Sequence, residues 1–111
     1  MIEWQPDLRS PVVALEGNNS TLECICQKDE CREETARAYW KFKDHEVSQS
    51  DRIKLSKVVT IGSVKITMTI LNVSRIDEGE YFCGIKTSKG FGEEKGNLFV
   101  LTKGIFPYSR I

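Results

Sequence analysis

Residues 68–83 read Met68-Thr69-Ile70-Leu71-Asn72-Val73-Ser74-Arg75-Ile76-Asp77-Glu78-Gly79-Glu80-Tyr81-Phe82-Cys83. Just upstream and into this stretch, Ile66, Met68 and Ile70 alternate with Lys65, Thr67 and Thr69. That is the two-residue period of a strand with one buried face. Ser74 to Gly79 interrupts the alternation with a polar corner, and Tyr81 to Ile85 resumes it as a second strand. The stretch therefore predicts a strand, a corner and a second strand that carries a cysteine.

The same grammar extends in both directions. Pro11 to Leu15 reads as a first strand, closed by Glu16-Gly17-Asn18-Asn19. Thr21 to Cys26 puts Leu22, Cys24 and Cys26 on one face. Gln27 to Thr35 is a charged loop carrying Cys31. Ala38, Trp40 and Phe42 then alternate with Tyr39, Lys41 and Lys43, ahead of a plausible hairpin turn at Lys43 to Glu46. Ile53 and Leu55 mark another strand, and Gly62-Ser63 turns the chain into Val64. Lys86 to Gly96 reads as a long glycine-rich loop, with a last strand over Asn97 to Thr102. No stretch holds a helical period. Short strands separated by turn signals predict an all-β sandwich.

The 111 residues fit one domain, expected over residues 1–103, with 104–111 as an outgoing linker or the start of a stalk. Sixteen basic residues balance sixteen acidic ones, so net charge recruits neither nucleic acid nor an anionic membrane. No apolar run approaches the roughly 20 residues of a membrane span. The first residues lack the apolar core of a signal peptide, which leaves a cytosolic protein or the mature outer part of a longer one. Four cysteines, Cys24, Cys26, Cys31 and Cys83, are an even number without the paired spacing of zinc ligands. Glycosylation sequons begin at Asn18, Asn19 and Asn72. Together these favour an oxidising compartment. The expected location is the extracellular face of the plasma membrane, with an anchor following Ile111, or a secreted form.

Catalytic groups are hard to assemble. His45 is the single histidine and sits alone on a turn. Asp29, Glu30, Glu33 and Glu34 lack the spaced ligands of a calcium loop. Gly90-Phe91-Gly92 lies between strands, not ahead of a helix where it could cradle phosphate. The expectation is a binding protein with no catalytic residues, metal, cofactor or small-molecule substrate.

Leu22-x-Cys24, then Trp40, then Met68-x-Ile70-x-x-Val73-x-x-x-Asp77-x-Gly79-x-Tyr81-x-Cys83 resembles the immunoglobulin superfamily over residues 10–102. The resemblance implies an immunoglobulin-like two-sheet β-sandwich with Greek-key topology. It also implies that Cys24 and Cys83 join the sheets, with Trp40 packed on their disulfide. Tyr81 would bond backbone near Ile76 or Asp77, and Asp77 would pair with Arg52. Phe91-Gly92 followed by Gly96-x-Leu98-x-Val100 is similar to the joining segment of variable domains. Eleven residues between Trp40 and Arg52 are too few for a second edge hairpin, so a short variable or intermediate type is expected. Cys26 and Cys31 have two readings: a small disulfide pinning the loop, or a cysteine that links to another chain or switches with redox state.

In this family function often lies on the outer face of the sheet carrying the Trp40 strand. Alternation sends Tyr39, Lys41 and Lys43 outward there, with Phe82, Gly84 and Lys86 from the Cys83 strand and Phe99 from the last. Aromatics among lysines suit a protein contact. Phe91 either folds back onto the sheet or stands out as an anchor. The resemblance implies a ligand-recognition domain of an immune-type receptor or coreceptor. Its protein partner would lie on another cell or in the same membrane, and would contact this face and the 86–96 loop. The alternative is an adhesion or accessory module that pairs with itself or with another membrane protein.

Overall fold

Strand alternation decides the layers, and a computed structural model describes them for residues 12–27 and 29–102. The segments 1–11 and 103–111, which include Pro11 and the expected linker 104–111, lie outside the described residues. One sheet contains β2 (Ser20–Cys26), β5 (Ile53–Val59) and β6 (Val64–Ile70) in the order β2-β6-β5. The other contains β1 (Val12–Leu15), β3 (Arg37–Phe42), β4 (His45–Glu46), β7 (Gly79–Thr87) and β8 (Gly90–Leu101), in the order β1-β8-β7-β3-β4. The chain crosses between sheets from β1 to β2, from β2 to β3, from β4 to β5 and from β6 to β7, giving the expected sandwich.

Period-two patterning turns one face of each strand into core. Leu22, Cys24 and Cys26 of β2 pair with Met68, Ile66 and Val64 of β6, and all six are buried. Trp40, Tyr81, Cys83, Ile85 and Leu98 supply the facing layer. The Cys24–Cys83 disulfide ties the sheets across a sequence separation of 59. On the loop-entropy model such a closure stabilises the fold by about 4 kcal/mol. Phe42 stacks on Tyr81 with ring centroids 4.3 Å apart. The Trp40 indole Nε1 is buried with no hydrogen-bond partner among the described residues. Leaving such a donor unmade costs about 1–3 kcal/mol, which the burial of so large a ring offsets.

The corner before β7 is built as the resemblance implied. The Tyr81 hydroxyl donates to the Asp77 carbonyl at 2.5 Å. Arg52 Nη2 meets Asp77 Oδ2 at 2.7 Å, and the same oxygen accepts the Ser74 backbone N–H at 2.8 Å. Asp77 is buried, so its charge is held by these donors and not by water.

Cys26 and Cys31 are joined to each other and fully buried. Between them the chain makes a short 3-10 turn, Asp29–Arg32, braced by an Arg32–Asp29 ion pair at 2.7 Å. The loop-pinning reading is the one observed, which leaves no free thiol for a partner among the described residues.

Two expectations need correction. The 86–96 segment is not a loop: β7 continues to Thr87 and β8 starts at Gly90, so only Ser88 and Lys89 turn the chain. Three glycines lower strand propensity there, but ladder pairing with β7 overrides a weak local preference. Lys43 is not on the sheet face either. Lys43 and Asp44 take φ of 52° and 66° to form the two-residue turn that pairs Phe42 with His45. Their left-handed backbone turns Lys43 out of the strand, and its ammonium lies 5.2 Å from the Phe42 ring centroid.

The end opposite the β7–β8 turn holds all three sequon asparagines, each exposed. Val73 N–H donates to the Asn18 carbonyl, and Asn72 N–H donates to Asn19 Oδ1 at 3.1 Å. The two sequon stretches are therefore neighbours in space.

Candidate partner-binding face

Cross-strand register fixes what shares the outer face of the five-stranded sheet, because directly paired residues point the same way. One row is Arg37, Lys86 and Phe91; the next is Tyr39, Gly84 and Glu93; a third is Lys41, Phe82 and Lys95. Beyond them Phe99 pairs with Val13, and Leu101 with Leu15. The face thus divides into a charged, aromatic half and an apolar half.

Tyr39 organises the charged half. It points outward as alternation requires, yet it is buried, because its ring lies down over Gly84. Only glycine permits this: a Cβ at position 84 would sit 2.5 Å from the Tyr39 hydroxyl oxygen and 2.7 Å from Cε1. The hydroxyl donates to Glu93 Oε2 at 2.5 Å, and Lys41 Nζ meets the same oxygen at 3.0 Å. Lys41 also stands 5.9 Å from the Tyr39 centroid and 5.7 Å from that of Phe82. Tyr39 is therefore outward as alternation predicts, but it forms a fixed, covered floor of the face.

Electrostatics follow from that packing. Burial, reinforced by the hydrogen bond and charge of Glu93, raises the Tyr39 phenol far above its usual range. Burial also raises the Glu93 carboxyl, but the Tyr39 hydroxyl, Lys41 and Lys86 outweigh it and leave a net lowering. The phenol stays protonated and the carboxylate stays ionised at neutral pH. Arg37 Nη2 and Glu46 Oε2 pair at 2.5 Å on the β4 side. Arg37, Tyr39, Lys41, Glu46, Lys86, Phe91 and Glu93 enclose a shallow depression of about 310 Å³.

The remaining aromatics divide. Phe82 is half-buried under Lys41, whereas Phe99 is 46% exposed and Phe91 is 61% exposed. Phe91 stands out at the rim, in register with Lys86, and does not fold back. The apolar half adds Val13 at 53%, Leu15 at 40% and Leu101 at 56%. Val13 and Leu15 escaped the sequence reading because only tertiary pairing of β1 with β8 brings them beside Phe99. Glu93 escaped it because its segment read as a loop, and Arg37 and Glu46 because their partners lie on different strands.

His45 is exposed on the two-residue β4. The acidic loop spends Asp29 on Arg32, and Glu33 Oε1 accepts the Ser88 hydroxyl at 3.1 Å. Among the described residues no group of three or more His, Cys, Asp or Glu could hold a metal ion.

The model of the immunoglobulin V-set domain matches residues 9–101. That family is generally without catalytic activity. No curated protein sequence matches significantly. Among solved structures, a chain of the complex of Dpr2 Ig1–Ig2 with DIP-Theta Ig1–Ig3 is similar at a TM-score of 0.75 and 20% identity, covering 91% of this chain and 33% of that one. Titin M4 is similar at a TM-score of 0.69 and 23% identity, covering 88% and 95%. A titin M10–obscurin-like 1 Ig complex gives a TM-score of 0.68 at 17% identity, covering 92% and 97%. At these identities the structures share the fold.

Proposed function

The chain belongs to the immunoglobulin V-set family, and from that premise we propose that it is an extracellular protein-recognition domain of an immune-type receptor or coreceptor. It binds its partner with the outer face of the β1-β8-β7-β3-β4 sheet. One observation carries this reading: Val13, Leu15, Phe99 and Leu101 form a contiguous exposed apolar patch beside a preorganised aromatic and charged surface. A lone exposed leucine is ordinary, but four apolar side chains in two cross-strand pairs cost solubility and suit the core of an interface. The 88–89 turn sits at the end of this face, in place of the longer loop the sequence suggested.

The test is a binding screen of the disulfide-intact domain against cell-surface ectodomains, repeated with Phe99→Arg. The expected result is a partner that wild type binds and Phe99→Arg loses, with thermal stability unchanged. A partner bound equally well by both proteins refutes the use of this face.

A second reading is an adhesion or accessory module that pairs with its own kind. Its support is that two of the similar structures are complexes named for immunoglobulin partners. Sedimentation across a concentration series separates the readings. A dimer broken by Phe99→Arg favours self-pairing, and a monomer throughout favours a foreign partner.

A further inference from the structure

The depression at the upper end of the face carries more than a location. Its residues supply three cations, Arg37, Lys41 and Lys86, against two carboxylates, Glu46 and Glu93. Arg37 is taken by Glu46, and Lys41 by Glu93. Glu93 Oε2 accepts from both Lys41 and the Tyr39 hydroxyl, so its charge is already shared. Lys86 makes no ion pair among the described residues. Its ammonium lies 5.9 Å from the Tyr39 centroid, on an aromatic floor instead of against a carboxylate. Directly across the β7–β8 ladder from it stands Phe91, the more exposed of the two free aromatics of the face. Residues paired this way have Cβ atoms about 5 Å apart, so one short docked segment can touch both.

We infer that this depression receives an acidic segment of the protein partner, with Lys86 taking an Asp or Glu carboxylate and Phe91 covering the adjacent apolar side chain. The inference rests on the face being the recognition surface and specifies the chemistry it recognises. Charge complementarity carries it: the depression has one more cation than carboxylates, and the cation without an ion pair among the described residues is beside an exposed ring. Preorganisation supports it. Tyr39 is held down by Glu93 and by the missing Cβ of Gly84, so the floor need not reorder when a partner arrives. A basic segment would meet the Lys86 ammonium, with both carboxylates of the depression already paired, and be repelled. A neutral apolar segment would leave the Lys86 ammonium desolvated without a counter-charge.

The experiment is an amide chemical-shift titration of the disulfide-intact, isotope-labelled domain with two capped peptides, Ac-Val-Asp-Leu-amide and Ac-Val-Asn-Leu-amide, at millimolar concentration. They differ in one charge and are nearly isosteric. The expected result is that Lys86, Phe91 and Glu93 resonances move, with the Asp peptide binding about three- to fivefold tighter, as an exposed charge pair allows. That preference should shrink with added salt and vanish in Lys86→Gln. Lys65→Gln, which removes the same charge from the other sheet, should leave it intact. Equal affinity of the two peptides, an unchanged preference in Lys86→Gln, or no shifts at these residues overturns the inference. A cell-surface partner that is lost by Phe99→Arg but indifferent to Lys86→Gln would likewise overturn it while leaving the recognition face standing.

Discussion

Gly84→Ala tests the central claim about the face, that one missing Cβ lets Tyr39 lie flat. The added methyl would stand 2.5 Å from the Tyr39 hydroxyl oxygen and 2.7 Å from Cε1. Ordinary contacts begin near 3.4 Å, so the ring has to move by most of an ångström or more. Such a shift lengthens the 2.5 Å bond from the hydroxyl to Glu93 beyond a useful hydrogen bond. Overpacking costs about 1–3 kcal/mol, and a hydrogen bond to a charged group is worth about 1.5–3 kcal/mol. The two overlap, because moving the ring relieves the clash by breaking the bond. The expected loss is therefore about 2 kcal/mol in the wild-type background. In a Tyr39→Ala background the clash is gone and the sign reverses. Alanine then loses less backbone entropy than glycine in a strand, and Gly84→Ala should stabilise by up to about 0.5–1 kcal/mol. Urea unfolding of the four proteins closes the cycle, with NMR titration of Glu93 as an independent readout. Losing the Tyr39 donor should bring the Glu93 pKa back up. Equal effects of Gly84→Ala in both backgrounds, or an unmoved Glu93, refute the account.

Tyr81→Phe should destabilise by about 1–2 kcal/mol by deleting the buried bond to the Asp77 carbonyl, read as a lower urea midpoint with unchanged slope. Ionised Glu93 has a folded pKa below its unfolded one, so its contribution is fully present above the unfolded value and is lost as pH falls through the folded value. Urea melts from neutral pH to about pH 3 should thus show a shallower acid loss for Glu93→Gln than for wild type. Replacing both Cys26 and Cys31 with Ala should cost about 2 kcal/mol on the loop-entropy model, since the closed loop is short. The fold should survive, and amide exchange should rise first in the Asp29–Arg32 turn.

Much of the fold was legible in the chain because burial writes a period of two into any half-buried strand. Val64, Ile66, Met68 and Ile70, like Leu22, Cys24 and Cys26, announce their inward face without any knowledge of the partner sheet. The corner was legible for a related reason. The Tyr81 hydroxyl reaches the Asp77 carbonyl and the Ser74 N–H the Asp77 carboxylate within four residues, and a local constraint leaves a local pattern. An even count of cysteines and the resemblance chose the long pair, whereas Cys26 and Cys31 kept two readings until the structure joined them.

The binding face was only half legible. Sequence alternation identified which side of β3, β7 and β8 points outward and named Lys41, Phe82, Lys86 and Phe99, while Phe91 was named as an aromatic between two glycines. Whether an outward side chain stands free depends on what lies across the ladder, and that is set by register between strands far apart in sequence. Tyr39 is covered because Gly84 faces it from 45 positions away. The hairpin arm from Gly90 to Gly96 is a strand because β7 pairs with it, whatever its glycines prefer alone. Val13 and Leu15 become part of an apolar patch only when β1 docks parallel to β8. The sequence by itself determined the strands and their inward faces, since these follow from the nearest few residues. The tertiary structure decided which charges neutralise one another and which surface is left exposed. Those are sums over neighbours that the chain order does not bring together.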